Sequence, residues 1–210
     1  GQEVVPNSGC GSWLLEPQST NLVTQSENFS SGWTLSNASI VSNSVISPDG
    51  NLNATLLKGN TNLSNHNIRR SGLAASFTGT YSVFAKAKEL RYLQIASINT
   101  TNQYVNFDLQ DGLVGTVGSN FSDAKIEDYG NGWYKLSVTS DDRYNSFYLS
   151  LVPETNSSWL KSWEMSNSTD GLYIWGAQLE QNSYATSYIP TNGAASTRLQ
   201  DIANNSGNAS

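Results

Sequence analysis

The chain has 210 residues, a formal net charge of -6, 13% charged residues and 10% aromatics. Charge is about half that of an average globular protein, and Asn, Ser, Thr and Gly take its place. This excludes a disordered chain, which has high net charge and few aromatics. It also excludes a basic nucleic-acid binder, since Lys and Arg total 11. No run of roughly 18 apolar residues offers a membrane span.

Residues 1–19, rich in Gly, Pro and Ser, read as an N-terminal loop or leader segment without the basic-then-apolar start of a signal peptide. Cys10, the single cysteine, sits in Gly9-Cys10-Gly11 and reads as loop. It has no disulfide partner, and His66, the single histidine, falls in a polar loop-like stretch. Residues 20–191 read as one β module. Alternation marks Ser39–Ile46, then Tyr81–Ala87, with Tyr81, Val83 and Ala85 on one face and Ser82, Phe84 and Lys86 on the other. Arg91–Ile98 follows, and Val105, Phe107 and Leu109 alternate with Asn106 and Asp108. Asp111-Gly112 turns into Leu113–Val117, and Ala124–Tyr129 is a less regular strand. Asn131-Gly132 is a tight-turn signal leading into Trp133–Thr139. Phe147–Leu151 and Leu172–Leu179 complete the series, and Asn156–Ser166 has room for a short turn of helix. Residues 192–210 read as a flexible tail or junction. Strands every 8 to 15 residues, with turns between, predict an all-β, antiparallel two-sheet β-sandwich.

Four segments carry a family resemblance. They are Leu14-Leu15-Glu16-Pro17-Gln18-Ser19-Thr20-Asn21-Leu22 with Ser26-Glu27-Asn28-Phe29 and Trp33; Ser47-Pro48-Asp49-Gly50; Gly130-Asn131-Gly132-Trp133-Tyr134-Lys135-Leu136-Ser137; and Tyr173 to Glu180 running into Ala185-Thr186-Ser187-Tyr188-Ile189-Pro190-Thr191. Over residues 14 to 198 the chain resembles the jelly-roll carbohydrate-binding-like modules of tail-fibre, head-fibre and other surface proteins of tailed phages and prophages. Similar modules occur in secreted bacterial polysaccharide-degrading proteins. The resemblance implies a jelly roll of eight or more strands without chemistry of its own, and a role in glycan recognition or virion architecture. Its location would be a virion surface or extracellular, its partners a glycan and other virion proteins, with a trimer as the usual fibre assembly.

Two readings stand for the motif residues. In one, Asn21, Gln178 and Glu180 bond the first strand to the last. In the other, which the resemblance implies, a structural Ca²⁺ lies there, with Glu27 as a ligand. Family members that bind calcium usually carry an Asp pair in the last strand, where this chain has Trp175 and Gly176. No cofactor is otherwise required, and one His, one Cys and one Met give little for a transition metal.

Sugar rings stack their C–H face on aromatics and hydrogen-bond through their hydroxyls, so aromatics beside Asn, Gln and Arg are candidates. Trp159 and Trp163, four apart, either share one face or cap the sandwich edge. Arg91, Tyr92, Gln94, Asn102, Gln103 and Tyr104 either form a platform or are the exposed side of a sheet. Asp141, Asp142, Arg143 and Tyr144 read as a solvated hairpin tip. Carboxylate pairs for glycoside hydrolysis can be named, such as Glu154 with Glu164 or Asp108 with Glu127, but spacing selects none. The chain lacks a Walker loop and a Gly-x-Ser-x-Gly elbow. The ten Asn-x-Ser/Thr sequons follow from composition. The reading is a non-catalytic virion-surface module that recognises host glycans; the alternatives are a purely structural virion domain and the targeting module of a secreted enzyme.

Overall fold

The structure is a computed structural model that describes residues 4–7, 10–13, 15–73, 77–97, 102–140 and 146–202. In chain order its strands are β1 (Val4–Asn7), β2 (Cys10–Trp13), β3 (Ser19–Asn21), β4 (Trp33–Ser36), β5 (Ala38–Ile46), β6 (Leu52–Gly59), β7 (His66–Ser71), β8 (Gly79–Lys86), β9 (Tyr92–Ala96), β10 (Tyr104–Asp108), β11 (Leu113–Val117), β12 (Ser122–Asp128), β13 (Trp133–Ser140), β14 (Ser146–Leu151), β15 (Gly171–Glu180) and β16 (Ser196–Arg198). Two six-stranded sheets dominate, ordered β12-β13-β8-β15-β6-β5 and β11-β10-β9-β14-β7-β4. The strand pairings are antiparallel. At their centre, β6-β15-β8-β13 faces β7-β14-β9-β10. The chain crosses repeatedly from one sheet to the other, which is the jelly-roll arrangement.

Alternation places one side of each strand in the shared core. Tyr81, Val83, Leu136, Val138, Leu172 and Ile174 come from the first sheet. Ile68, Leu93, Ile95, Val105, Phe107, Phe147, Leu149 and Leu151 come from the second. Tyr81 and Phe147 join the layers with ring centroids 4.8 Å apart. Each such side chain, withdrawn from water, contributes about 1.5–3 kcal/mol.

Alternation breaks once in β15. Leu172 and Ile174 face the core, Trp175 faces outward, then Ala177 and Leu179 face the core again. The phase slips at a bulge between Trp175 and Gln178, where Gly176 has φ 65°. Beyond the bulge β6 no longer pairs with β15. The segment after β3 takes its place, with Leu22 N–H donating to Leu179 O at 2.8 Å and Ala177 N–H to Ser26 O at 2.8 Å.

Several expectations change. His66 belongs to a strand and is fully buried, with Nδ1 2.8 Å from Asn37 O and Nε2 3.1 Å from Trp163 O. The polar sequence of β7 hid the strand, because its Arg69 and Arg70 are bonded to Tyr148 and Thr24 instead of facing open water. Cys10 begins β2 and is not in a loop. Asn156–Ser166 is mostly irregular, with short turns and a bridge between Ser64 and Trp163, and the described residues contain no helix, hence none able to cross a membrane. Within the stretch expected as a loose tail, β16 pairs with β3, and Arg198 is ion-paired with Glu16. The polar tip at 141–144 lies outside the described residues.

Candidate functional site

The outward faces of both sheets carry polar residues, and part of each is covered. Over the first sheet runs the segment after β15. Thr80 donates to Asn182 O at 2.8 Å, Thr139 to Ser183 O at 3.1 Å, and Lys135 Nζ to Thr186 O at 2.8 Å. Burial lowers the pKa of Lys135, partly offset by the negative charges of Glu127 and Glu180. Over the second sheet runs the segment after β14. Gln94 donates to Ser158 O at 3.0 Å and accepts from Leu160 N–H at 2.8 Å, while Asn106 donates to Ser157 O at 2.7 Å.

The second strap bonds Gln94, one residue of the expected sugar platform. Gln94 and Gln103 are buried. Arg91 grips Asp108 through Nε at 2.8 Å and through Nη2, which also reaches Asp111, and its guanidinium lies 5.0 Å from the Tyr92 ring. Burial raises the Asp108 carboxyl, but Arg91 and the N–H groups of Gln110 and Asp111 outweigh it and hold the pKa below the usual range. Asp108 is therefore a fixed anion, unsuited to donate a proton, and it stands on the sheet opposite Glu127. Tyr92 and Tyr104 are half-buried. Trp159 and Trp163 are also half-buried, and both indoles are tethered inward: Trp159 Nε1 donates to Ser97 O at 2.9 Å and Trp163 Nε1 to Leu151 O at 3.2 Å.

The motif residues around β15 bond with one another. Asn21, fully buried, donates to Ala177 O at 3.2 Å and Ile189 O at 2.9 Å, and accepts from Val23 N–H at 3.0 Å and Leu179 N–H at 3.1 Å. Glu180 accepts from Ser19 Oγ at 2.6 Å, Gln178 Nε2 at 2.8 Å, Thr186 N–H at 2.9 Å and Thr186 Oγ1 at 2.5 Å. Glu27 lies apart from them, between two shallow clefts. One oxygen accepts from Tyr188 OH at 2.9 Å and the other from Asn53 Nδ2 at 3.1 Å. Burial raises the pKa of the Tyr188 hydroxyl, so it stays protonated as a donor. A Ca²⁺ shell is made of oxygens offering lone pairs, whereas Glu27 faces donor hydrogens on both sides. The described residues hold no group of three or more His, Cys, Asp and Glu suited to a metal. On the same two clefts, Gln25 Oε1 and Asn53 Oδ1 are buried oxygens without a hydrogen-bond partner.

A different place on the first sheet combines an open ring with a cavity. Phe84, Trp133 and Trp175 form an outward aromatic cluster with Tyr188 packed on it. Phe84 also meets Tyr129 edge to face, at 4.9 Å and 81°. Tyr129 is 51% exposed and borders a groove of about 390 Å³. Val45, Ile46, Pro48, Lys86 and Asn131 line it too. Two turns build the groove. The turn after β12 has φ of 53° at Asn131 and 77° at Gly132, the backbone that an Asn-Gly pair adopts readily. The turn after β5 is closed by Asp49, which accepts from Ser47 Oγ and from Asn51 N–H at 2.8 Å. Trp133 Nε1 donates to Ile46 O at 3.1 Å and joins the two turns. Sequence reasoning quoted both turns as motifs and missed Tyr129. The signal was an aromatic on each side of a tight turn, Tyr129 and Trp133.

No family model matches the chain, and no curated protein matches it. Among solved structures, the enzymatically active domain of tailspike protein 4 of bacteriophage CBA120 is similar over 76% of this chain, with 13% identity and a TM-score of 0.42. The match covers 21% of that protein's chain.

Proposed function

We propose that this jelly roll is a non-catalytic glycan-recognition module of fibre or spike type on a virion surface, and that its sugar lies in the groove beside Tyr129. The observation that carries the site is a half-exposed ring braced edge-on by Phe84 at the mouth of a groove of about 390 Å³. A braced ring loses little freedom on binding, and its face suits the C–H face of a pyranose. The groove is within the size range of small-molecule sites, roughly 300–1,000 Å³. The virion setting rests on the motif resemblance alone.

The test is binding of the chain to an array of bacterial surface polysaccharides, followed by Tyr129→Ala. Binding that the substitution removes, with the fold intact by circular dichroism, supports the reading. No binding at high concentration would leave the structural virion domain as the better account. Release of shorter oligosaccharides from a bound polysaccharide would overturn the non-catalytic part.

A further inference from the structure

We propose that the groove selects an anionic sugar of the uronic-acid type, its ring on Tyr129 and its carboxylate on the Lys86 ammonium; this rests on the reading of the groove as a glycan site. The chain carries 17 acidic and 11 basic residues. Its groove departs from that balance, because none of the lining residues is acidic and Lys86 is a cation. Lys86 is thus the one charged side chain that lines the groove.

Lys86 is also held in place. Its Nζ donates to Asn131 O at 2.6 Å. Its stem lies along the turn, with Cε 3.5 Å and Nζ 3.9 Å from where a Cβ on Gly132 would stand. An ammonium has three donor hydrogens, so this bond leaves two for a ligand. Among the described residues no carboxylate is within ion-pair distance of Lys86. The nearby carboxylates have other work: Asp128 accepts from Gly130 N–H at 2.7 Å, and Asp49 is bonded to Ser47, Asn51 and Asn53. Burial raises the Asp49 pKa, and these bonds more than reverse it, so Asp49 remains an anion engaged within its own turn. A neutral sugar would use Tyr129 and the turn carbonyls and leave the pinned ammonium without a counter-charge. A uronate uses all three.

The experiment compares acidic bacterial polysaccharides with the same polymers after chemical reduction of their carboxyl groups, measuring affinity for the wild-type chain, Lys86→Met, Lys86→Arg and Tyr129→Ala. Reduction is expected to weaken wild-type binding about tenfold, the usual effect of losing a charge-assisted bond. Lys86→Met should show the same loss on the native polymer and no longer distinguish the two forms, while Lys86→Arg keeps the preference. Tyr129→Ala should weaken both forms. Equal wild-type affinity for native and reduced polymers, or an undiminished preference in Lys86→Met, overturns the anionic selection and leaves glycan binding standing. Failure of the wild-type chain to bind any member, or binding that Tyr129→Ala does not affect, overturns both.

Discussion

Replacing Asn21 with alanine tests how the first segment is bound to the last strand. The side chain is fully buried and makes four hydrogen bonds, to Ala177 O, Ile189 O, Val23 N–H and Leu179 N–H. Alanine leaves four main-chain groups without partners. A buried orphan costs about 1–3 kcal/mol. The vacated space is polar and about the size of one water, which can rescue roughly two of the four. Two remaining orphans give a loss of about 4 kcal/mol, a large share of a typical total of about 5–15 kcal/mol. With a urea m-value of about 2 kcal/mol/M, the unfolding midpoint should fall by about 2 M. Tryptophan fluorescence and far-UV circular dichroism should report one coincident transition. Thr20→Ala serves as the neighbouring control, since Thr20 bonds Thr197 at an exposed site and should cost under about 0.5 kcal/mol. A midpoint shift below about 0.5 M for Asn21→Ala, at unchanged m, would refute the structural role of this side chain.

Gly176→Ala should cost about 2 kcal/mol by calorimetry, because φ is 65° and the new Cβ would lie 3.0 Å from Phe84 Cδ2 and 3.3 Å from Tyr188 Cε2; an unchanged Tm would contradict the bulge geometry. Lys135 has a folded-state pKa below its usual 10.5. Between the two values the unfolded chain binds more protons, so stability should rise with pH through that window. Lys135→Met should flatten this slope in denaturation series between pH 7 and 10.5, and an identical slope in both proteins would count against the buried ammonium. Trp159→Phe removes the donor to Ser97 O and should cost about 1 kcal/mol of stability while leaving glycan affinity unchanged; lost affinity with an intact fold would move the site to that surface.

The limits of sequence reading show in particular residues. Tyr81–Ala87 and Trp133–Thr139 were legible as strands because they alternate, one side apolar and one side polar. Their polar side was not legible as buried. Thr80, Ser82, Ser137 and Thr139 look like a solvent face, and only the strap at 182–186, more than 40 residues away in the chain, makes them interior. Gln94, expected on a platform or an exposed sheet face, is buried for the same reason, as is Asn106 beside it. β7 was missed because only long-range bonds, to Asn37, Trp163, Tyr148 and Thr24, hold its His66, Arg69 and Arg70. The groove was missed because its two turns are about 80 residues apart in sequence and meet through Trp133 and Ile46.

Periodicity and turn chemistry are local, so the chain's own pattern already dictated an antiparallel sandwich, the phase of most core strands and the tight turn at Asn131-Gly132. Burial of a polar group is not local, since it depends on which distant carbonyl or hydroxyl arrives to bond it. The surplus of Asn, Ser and Thr is open to either a solvated or a sugar-binding surface in the sequence, and three of its members, Thr80, Asn106 and Thr139, turn out to fasten straps onto the sheets. The tertiary structure assigned that role, because hydrogen bonds between remote segments form only once the sheets are packed.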